Sequence, residues 1–215
     1  MSVFETIGVL TKNRKENGLW RKRNPHNSTK RNSKFDVNKV TVGNYTYGGI
    51  SVLDNNLYIG NFCSIASEVL FILAGKHRMD CVSTYPFKVK CLGLAENETK
   101  GDIIVDDDVW IGQRATIMSG VHIGQEAVIA SNAVVTKNVP PYAICAGNPG
   151  KIVRYRFFNE IIEKLLKVDF GKIDKKYVME HIESLYKPIN DNTDLSYLPI
   201  DHDRENKQPN EELCE

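Results

Sequence analysis

The sequence, 215 residues long, predicts an all-β solenoid in which short strands stack as successive coils, because its apolar residues recur with a period of six. Between residues 105 and 140 an aliphatic residue occupies every sixth position: Val105, Ile111, Ile117, Ile123, Ile129 and Val135. A small or apolar residue follows each of them four places later: Val109, Ala115, Val121, Ala127, Ala133 and Val139. A helix has a period of about 3.6 and a simple strand a period of about 2, so neither explains this pattern. A three-sided coil with one short strand and one tight corner per side does, and we predict a parallel hexapeptide β-helix.

The same phase occurs earlier in the chain, in residues 42–47 and again in residues 59–70. A turn or short outward loop, marked by Gly48-Gly49 and residues 54–56, separates the two stretches. In four repeats a glycine follows the aliphatic residue: Gly43, Gly60, Gly112 and Gly124. This position suits a coil corner where a side chain would clash or φ must be positive.

The period is lost from Ala74 to about Ile103, and a loop of this length inside a compact domain is usually functional or disordered. Its apolar and aromatic residues favour a folded excursion, although no helix is evident in it. We therefore predict a β-helix domain over 37–155 that contains a loop over 74–103.

The C-terminal part of the chain predicts two helices within residues 156–188. The first, over 156–168, has one apolar face, and the second begins after the capping residue Asp174 and continues through Tyr186. Residues 189–215 are acidic and poor in apolar residues, so we expect a disordered tail.

An N-terminal basic arm, residues 1–36, precedes the coils. Residues 11–34 contain nine lysines and arginines against the single Glu16. One interpretation is a solvated arm that packs Leu19 and Trp20 on the main body. The other is an electropositive rim for an anionic acceptor or carrier.

Composition excludes several classes of protein. A net charge of +1 argues against a nucleic-acid-binding protein as a whole, and no stretch is long and apolar enough to span a membrane. The N-terminus lacks the pattern of a signal peptide, and the five cysteines form no CxxC pair. We therefore expect reduced thiols and a cytoplasmic location, with Cys63 as a packing residue.

His77, in the excursion, is the candidate catalytic residue, because an imidazole can take a proton from a hydroxyl or amine as it attacks a carbonyl. The other histidines fit this role less well: we expect His122 to face solvent and His181 to pack, while His26 lies in the arm and His202 in the tail. We predict no metal site, because too few histidines fall on the coils and the run Asp106–Asp108 is expected to be solvated. The flat faces of a prism leave apolar area to bury, which favours a cyclic trimer.

These motifs resemble the hexapeptide-repeat acyltransferases, and among them the xenobiotic acetyltransferase group, which includes chloramphenicol and streptogramin acetyltransferases. The resemblance covers about residues 40–157. Its motifs are VGNYTYGG (42–49), IGNFCSIA (59–66), GKHRMD (75–80) with STYPF (83–87), DDVWIG (107–112), VVTKNVPPY (134–142) and GNPGK (147–151). Two positions depart from the family pattern, where Asn132-Ala133 replaces Gly-Ser and Gly150 replaces Ala.

The resemblance implies a left-handed β-helix, a homotrimer, and acetyl-CoA lying in the groove between two subunits. It also implies that His77 is the general base. Four residues would line the path of the pantetheine: Trp110, Gly112, Ser119 and Gly120. Six would lie near the nucleotide end: Ala130, Ser131, Thr136, Lys137, Lys151 and Arg154.

From the resemblance and the basic arm we expect a direct O-acetyl transfer to a sugar hydroxyl in surface-polysaccharide assembly. Acetylation of an antibiotic and N-acetylation of an amino-sugar nucleotide are the alternative reactions. A catalytically silent trimeric scaffold is the alternative from another class.

Overall fold

The structure, a computed structural model, describes residues 15–32, 36–53, 56–95, 99–190 and 193–201. Fifteen strands in these ranges form three sheets, which we call faces A, B and C. Face A contains β1 (Ser28–Arg31), β3 (Tyr47–Ile50), β6 (Ser64–Ile65), β9 (Trp110–Ile111), β12 (Val128–Ile129), β14 (Ala143–Ala146) and β15 (Lys151–Tyr155). Face B contains β2 (Val40–Val42), β5 (Leu57–Ile59), β8 (Ile103–Val105) and β11 (His122–Ile123). Face C contains β4 (Val52–Leu53), β7 (Leu70–Ile72), β10 (Thr116–Met118) and β13 (Val134–Val135).

The chain visits the three faces in turn, so each circuit forms one triangular coil. Strands β2, β3 and β4 lie on faces B, A and C, and this order repeats three more times up to β13. Strands of successive coils pair in parallel on all three faces, whereas β15 pairs antiparallel with β14. The predicted solenoid of parallel hexapeptide coils is confirmed.

The interior of the prism holds the residues that the six-residue period predicts. All twelve members of the two recurring sets are at most 3% exposed. Pairing in register places Val105 beside Ile123 on face B and Ile111 beside Ile129 on face A, while Ile117 meets Val135 on face C. Six residues therefore form one face of the prism. Three such faces complete a coil and bring the chain back to the face on which it started, beside the equivalent residue of the previous coil.

The corner glycines are required by close backbone approach. A Cβ added to Gly124 would lie 2.5 Å from the nitrogen of Pro141, and one added to Gly112 would lie 2.6 Å from the nitrogen of Ser131. Positive φ occurs instead at non-glycine residues two places further on, such as Arg114 and Glu126. Of the two reasons given for these glycines, steric clash is the correct one.

In its described residues, 15–32 and 36, the N-terminal basic arm contains a helix and a strand. Residues 15–23 are helical (α1), and β1 extends face A by pairing with β3. Trp20 packs into the prism core at 3% exposure, as predicted, whereas Leu19 is 44% exposed, so its predicted packing is wrong. The buried guanidinium of Arg31 pairs with Glu16 at 2.7 Å, which ties β1 to α1.

The C-terminal helices lie along the corner between faces B and A. They are α3 (Asn159–Leu165), a short 3-10 helix (Phe170–Lys172) and α4 (Lys175–Leu185). The Asp174 side chain caps α4 as predicted, accepting from the Tyr177 N–H at 2.8 Å. The first helix is shorter than predicted, because β15 runs to Tyr155 and the Arg156 N–H is donated to the Tyr142 carbonyl.

The predicted disorder of the tail is wrong for residues 193–201. Leu195, Leu198 and Ile200 pack on the apolar core under the helices, and the Asp169 N–H is donated to the Pro199 carbonyl at 2.8 Å. These apolar residues are spaced too irregularly for the sequence to indicate an element. Residues 202–215, including His202, lie outside the described residues.

A polar cluster joins the helices to the same corner. The buried Glu126 carboxylate accepts from Tyr142 Oη at 3.0 Å and pairs with Arg156 at 2.8 Å. Gln125 Nε2 donates to the Leu165 carbonyl at 3.1 Å. The run Asp106–Asp108 is half-buried beside this cluster, and Asp107 accepts from the Asn61 N–H at 2.7 Å, so the expectation of a solvated run is wrong.

Gly124→Ala tests the steric requirement at the corners. The new methyl group would overlap a rigid proline ring, so we expect the free energy of unfolding to fall by about 1–3 kcal/mol. Gly18→Ala is the matched control, because nothing lies within 4 Å of its added Cβ and it occupies a helix interior. The free energy of unfolding of this control should rise by about 0.5–1 kcal/mol, because alanine is favoured over glycine inside a helix. Denaturant unfolding of both variants measures this, and equal shifts would contradict the steric argument.

Asp108→Asn tests the charge at this corner. The pKa of Asp108 is raised to about 7, chiefly by burial and also by the negative charge of Glu126. The positive charge of Arg156 lowers it, but by less. The folded state therefore holds the proton more tightly than the unfolded chain does, and stability falls as pH rises through the interval from about 4 to about 7. The variant removes that loss, so we expect a gain of about 1–2 kcal/mol at pH 8 and almost none at pH 4.

Thermal unfolding at several pH values measures the effect of Asp108→Asn. Glu163→Gln, which removes an exposed carboxylate from α3, serves as control and should leave the pH profile of the wild type unchanged. A profile for Asp108→Asn that runs parallel to that of the wild type would contradict the prediction.

Candidate functional site

The excursion leaves the prism at the corner between faces C and B, after β7, and returns into β8. Thr99 closes its neck: its Oγ1 donates to the Leu73 carbonyl at 2.6 Å and accepts from the Gly101 N–H at 3.1 Å. The excursion contains a short helix, α2 (Phe87–Leu92), which ends at Gly93 in the left-handed conformation. This helix was not predicted, because six residues are too few to show a helical period.

His77 is exposed on this excursion and is oriented by one hydrogen bond. Its Nδ1 lies 2.7 Å from the Thr84 carbonyl oxygen. Because a carbonyl only accepts, Nδ1 carries the proton, and in the neutral ring Nε2 keeps a lone pair. Within the described part of the chain Nε2 makes no hydrogen bond, so this nitrogen is available to an incoming hydroxyl.

A cavity of about 260 Å³ surrounds His77, lined by residues 76–78 and 81–88. Two aromatic rings form part of its wall, Tyr85 and Phe87, in an edge-to-face pair with centroids 5.0 Å apart. Arg78 holds Asp80 through two hydrogen bonds of 2.7 and 3.0 Å, which lower the pKa of that carboxyl to about 2. The exposed Cys81 also lines the cavity.

A larger depression, of about 500 Å³, lies between Tyr45 and the start of α4. No histidine, serine or cysteine lines it in the described structure, and Lys176 on its wall lies 3.8 Å from the Glu180 carboxylate. The smaller cavity is therefore the better candidate for chemistry.

The predicted donor-binding residues fall into two groups on the prism. Gly112, Ala130 and Ser131 stack on the corner between faces A and C, next to the 57% exposed Trp110 of face A. Lys151 and Arg154 continue this group as exposed residues of β15.

The second group lies on the corner between faces C and B, from which the excursion departs. Ser119 and Gly120 pack against Lys100 at the base of the excursion, and a Cβ on Gly120 would lie 2.7 Å from the Lys100 carbonyl oxygen. Thr136 and Lys137 occupy the same corner one coil further on, and both are exposed. Face C separates the two groups, so one chain does not bring all ten residues around one ligand.

Two residues that position His77 were missed from the sequence. Thr84 lies in the STYPF motif, but it contacts His77 through its backbone carbonyl. Every residue type has this group, so the sequence does not indicate the contact. Thr99 stands 22 positions after His77 in a stretch without periodicity.

In the described ranges, no group of three or more His, Cys, Asp or Glu side chains converges. His122 lies half-exposed on face B and pairs with Asp106 at 3.0 Å. His181 packs between the rings of Tyr177 and Tyr197, as predicted. None of the helices in the described residues is long and apolar enough to cross a membrane.

Comparison with known proteins agrees with this geometry. Residues 102–137 match the family model Bacterial transferase hexapeptide (six repeats). A probable macrolide acetyltransferase of Lysinibacillus sphaericus is 43% identical over 141 residues, which cover 62% of this chain and 78% of that protein. The chain belongs to the hexapeptide-repeat acetyltransferases. It is thus an acyltransferase, as the motifs predict.

Other members of this family are similar over shorter shares of their length. A virginiamycin A acetyltransferase of Staphylococcus aureus is 46% identical over 61% of this chain and 63% of its own length. A chloramphenicol acetyltransferase of Agrobacterium fabrum is 45% identical over 53% of this chain, and the match spans 58% of that enzyme, less than two thirds. A hexapeptide-repeat acetyltransferase of Vibrio cholerae, solved with acetyl-CoA, is 28% identical with a TM-score of 0.51, over 66% of this chain and 76% of that chain.

Thr99→Val tests the neck of the excursion. The isosteric change removes the hydroxyl that joins Leu73 to Gly101, so we expect a loss of about 1–2 kcal/mol in stability. Amide hydrogen exchange in residues 74–95 should speed up more than exchange in the coils. Thr41→Val, an exposed change on β2, is the control and should alter neither. Uniform acceleration over the whole chain would contradict a role confined to the neck.

Proposed function

We propose that this hexapeptide-repeat acetyltransferase transfers the acetyl group of acetyl-CoA to a sugar hydroxyl during assembly of bacterial surface polysaccharide. The observation that carries this proposal is the 2.7 Å contact of His77 Nδ1 with the Thr84 carbonyl, which leaves Nε2 as a base at an exposed cavity. Acetyl-CoA is a cytoplasmic metabolite, so we place the reaction in the cytoplasm.

The reaction is a direct transfer. His77 Nε2 takes the proton of the acceptor hydroxyl while the oxygen attacks the thioester carbonyl. A tetrahedral oxyanion forms, stabilised by a backbone N–H, and its collapse breaks the C–S bond. The thiolate leaves and takes up the proton, so the products are the acetyl ester and coenzyme A.

Donor binding would use the two groups of residues on either side of face C. Trp110, Gly112, Ser119 and Gly120 would line the pantetheine arm, and Lys137, Lys151 and Arg154 carry the charge that phosphates need. These groups lie on different corners of one chain. A homotrimer of left-handed prisms, with the donor in the groove between two subunits, would let one subunit supply each group. In that arrangement Ala130, Ser131 and Thr136 would lie near the nucleotide.

The cavity wall supports a sugar acceptor. Tyr85 and Phe87 are about half exposed, and flat aromatic faces pack well against the C–H faces of pyranose rings. Lys88 adds positive charge to the wall. A neutral apolar drug would gain nothing from this lysine, and a cationic macrolide would be repelled by it.

Antibiotic acetylation is the second candidate. The names of the macrolide, virginiamycin and chloramphenicol relatives favour it, at identities of 43 to 46%. In that function the same base and donor site would serve, and only the acceptor would differ.

Acetyl transfer from labelled acetyl-CoA, read as product mass, tests the proposal over a panel of acceptors. The panel holds polysaccharide repeat units, amino-sugar nucleotides, chloramphenicol, a macrolide and a streptogramin. We expect esterification of a glycan hydroxyl, reduced by about 10²- to 10⁴-fold in His77→Ala because the base is removed. His26→Ala, an exposed histidine of the N-terminal region, should retain full activity.

Two outcomes would contradict the proposal. Transfer chiefly to an antibiotic would assign the enzyme to drug inactivation, and transfer that survives in His77→Ala would remove the assigned base. Direct transfer has its own check: acetyl label retained on the protein without acceptor, and lost in Cys81→Ala, would show a covalent intermediate instead.

A further inference from the structure

We propose that the acceptor is an acidic polysaccharide, which the enzyme holds at two places: the cavity around His77 and a basic surface at the N-terminal end of the prism. This inference rests on the proposed function and specifies its substrate class. The two places are separate in the chain, and each carries positive charge for its own structural reason.

Among the described residues, the wall of the cavity contains basic side chains and no carboxylate. Residues 76–78 and 81–88 include Lys76, Arg78 and Lys88 but neither aspartate nor glutamate. Asp80, the nearest carboxylate in the sequence, is held by Arg78, so these two charges offset each other. Lys88 thus adds positive charge beside His77, and the aromatic pair on the same wall would contact the face of a sugar ring.

The second place, the basic cap, consists of five exposed side chains on α1 and β1: Lys15, Arg21, Lys22, Arg23 and Lys30. The only acidic residue between positions 15 and 32 is Glu16, and it is paired with the buried Arg31 at 2.7 Å. The one carboxylate of this segment is therefore committed to an internal ion pair. The positive charges of the five cap residues face solvent, where they attract polyanions at low ionic strength.

Both places lie at the same end of the solenoid. The cap covers the first coil, because β1 pairs with β3 and Trp20 packs into the core. The excursion with His77 leaves from the next coil, after β7. Neighbouring coils are separated by about 4.8 Å along the axis, the spacing of paired strands. Across the axis, β1 lies on face A and the excursion departs from the opposite corner, between faces C and B, so an acceptor must be a chain of several sugars to touch both places. A nucleotide sugar or a drug is too short to do so.

A lipid surface is a poorer match for the cap than a glycan. A helix that binds a membrane presents its large apolar residues outward beside its charges. In the described part of α1 the tryptophan faces inward, and Leu19 is the one large apolar side chain that is exposed. The cap thus offers charge and hydrogen bonds, which suit carboxylates and hydroxyls.

Binding of four probes to the full-length protein tests this inference. They are polygalacturonate, dextran as its neutral counterpart, poly-L-glutamate as a non-sugar polyanion, and phosphatidylglycerol vesicles. The cap variant is Arg21→Gln/Lys22→Gln/Arg23→Gln, and the cavity variant is Lys88→Gln. The control removes three exposed lysines from the C-terminal helices and their end: Lys164→Gln/Lys167→Gln/Lys187→Gln. Circular dichroism confirms that each variant is folded.

We expect the wild type to bind polygalacturonate, more tightly than poly-L-glutamate, with an affinity that falls as salt is added. Dextran should not bind measurably. The cap variant should lose about tenfold or more in affinity at low salt, the cavity variant about threefold, and the control less than twofold.

Several results would overturn the inference. They are equal binding of dextran, equal binding of poly-L-glutamate, equal losses in the cap variant and the control, and a cap dependence seen only with the vesicles. Because binding is measured without acetyl-CoA, it is independent of the transfer assay. If polygalacturonate does not bind but the enzyme acetylates a neutral glycan, only the acidic acceptor is overturned. If the enzyme acetylates no glycan at all, the proposed function is overturned.

Discussion

The structure depends on the close contact between corners of successive coils. Parallel strands are held at one register by backbone hydrogen bonds, such as the Gly112 N–H to the Ile129 carbonyl at 2.8 Å, so the corners between them must stack directly. A methyl group on Gly124 or Gly112 would enter the backbone of the next coil. This contact keeps the three faces flat and in line. It also lets the interior be filled by one aliphatic and one smaller residue per side.

Flat faces give a rigid frame but no deep pocket, and the excursion supplies what the coils lack. Its two ends enter and leave one corner, where Thr99 bonds across to Leu73. The proposed base, His77, is therefore tied to the frame through the neck of the excursion and held in one tautomer by the Thr84 carbonyl. Variation in the excursion would change the residues beside His77 while the coils stay in place, which fits a family whose members carry the names of different substrates.

The sequence predicted best what repeats. The period of six located the core, the corners and the start of the excursion, because each repeat faces the same packing problem. His77 could be chosen, since few other histidines lie on a non-repeating segment. Features that occur once were missed. The helix Phe87–Leu92 is too short to show a period. The helix after β15 begins later than predicted, because β15 runs to Tyr155 and Arg156 pairs with Glu126. Contacts made through backbone atoms, such as the Thr84 carbonyl, leave no trace in residue type.

The C-terminal helices have a consequence for how the molecule comes apart. Stacked coils touch only their neighbours, so a solenoid tends to fray from its ends. Here one apolar cluster packs on the last coil through Tyr142, whose ring lies 6.2 Å from Phe157, and on the second coil through Phe62, 6.1 Å from Phe170. The helices bridge coils that do not touch one another, so the loss of an end coil also disrupts packing several coils away. We therefore expect the coils from the second to the last to unfold together rather than one by one from an end.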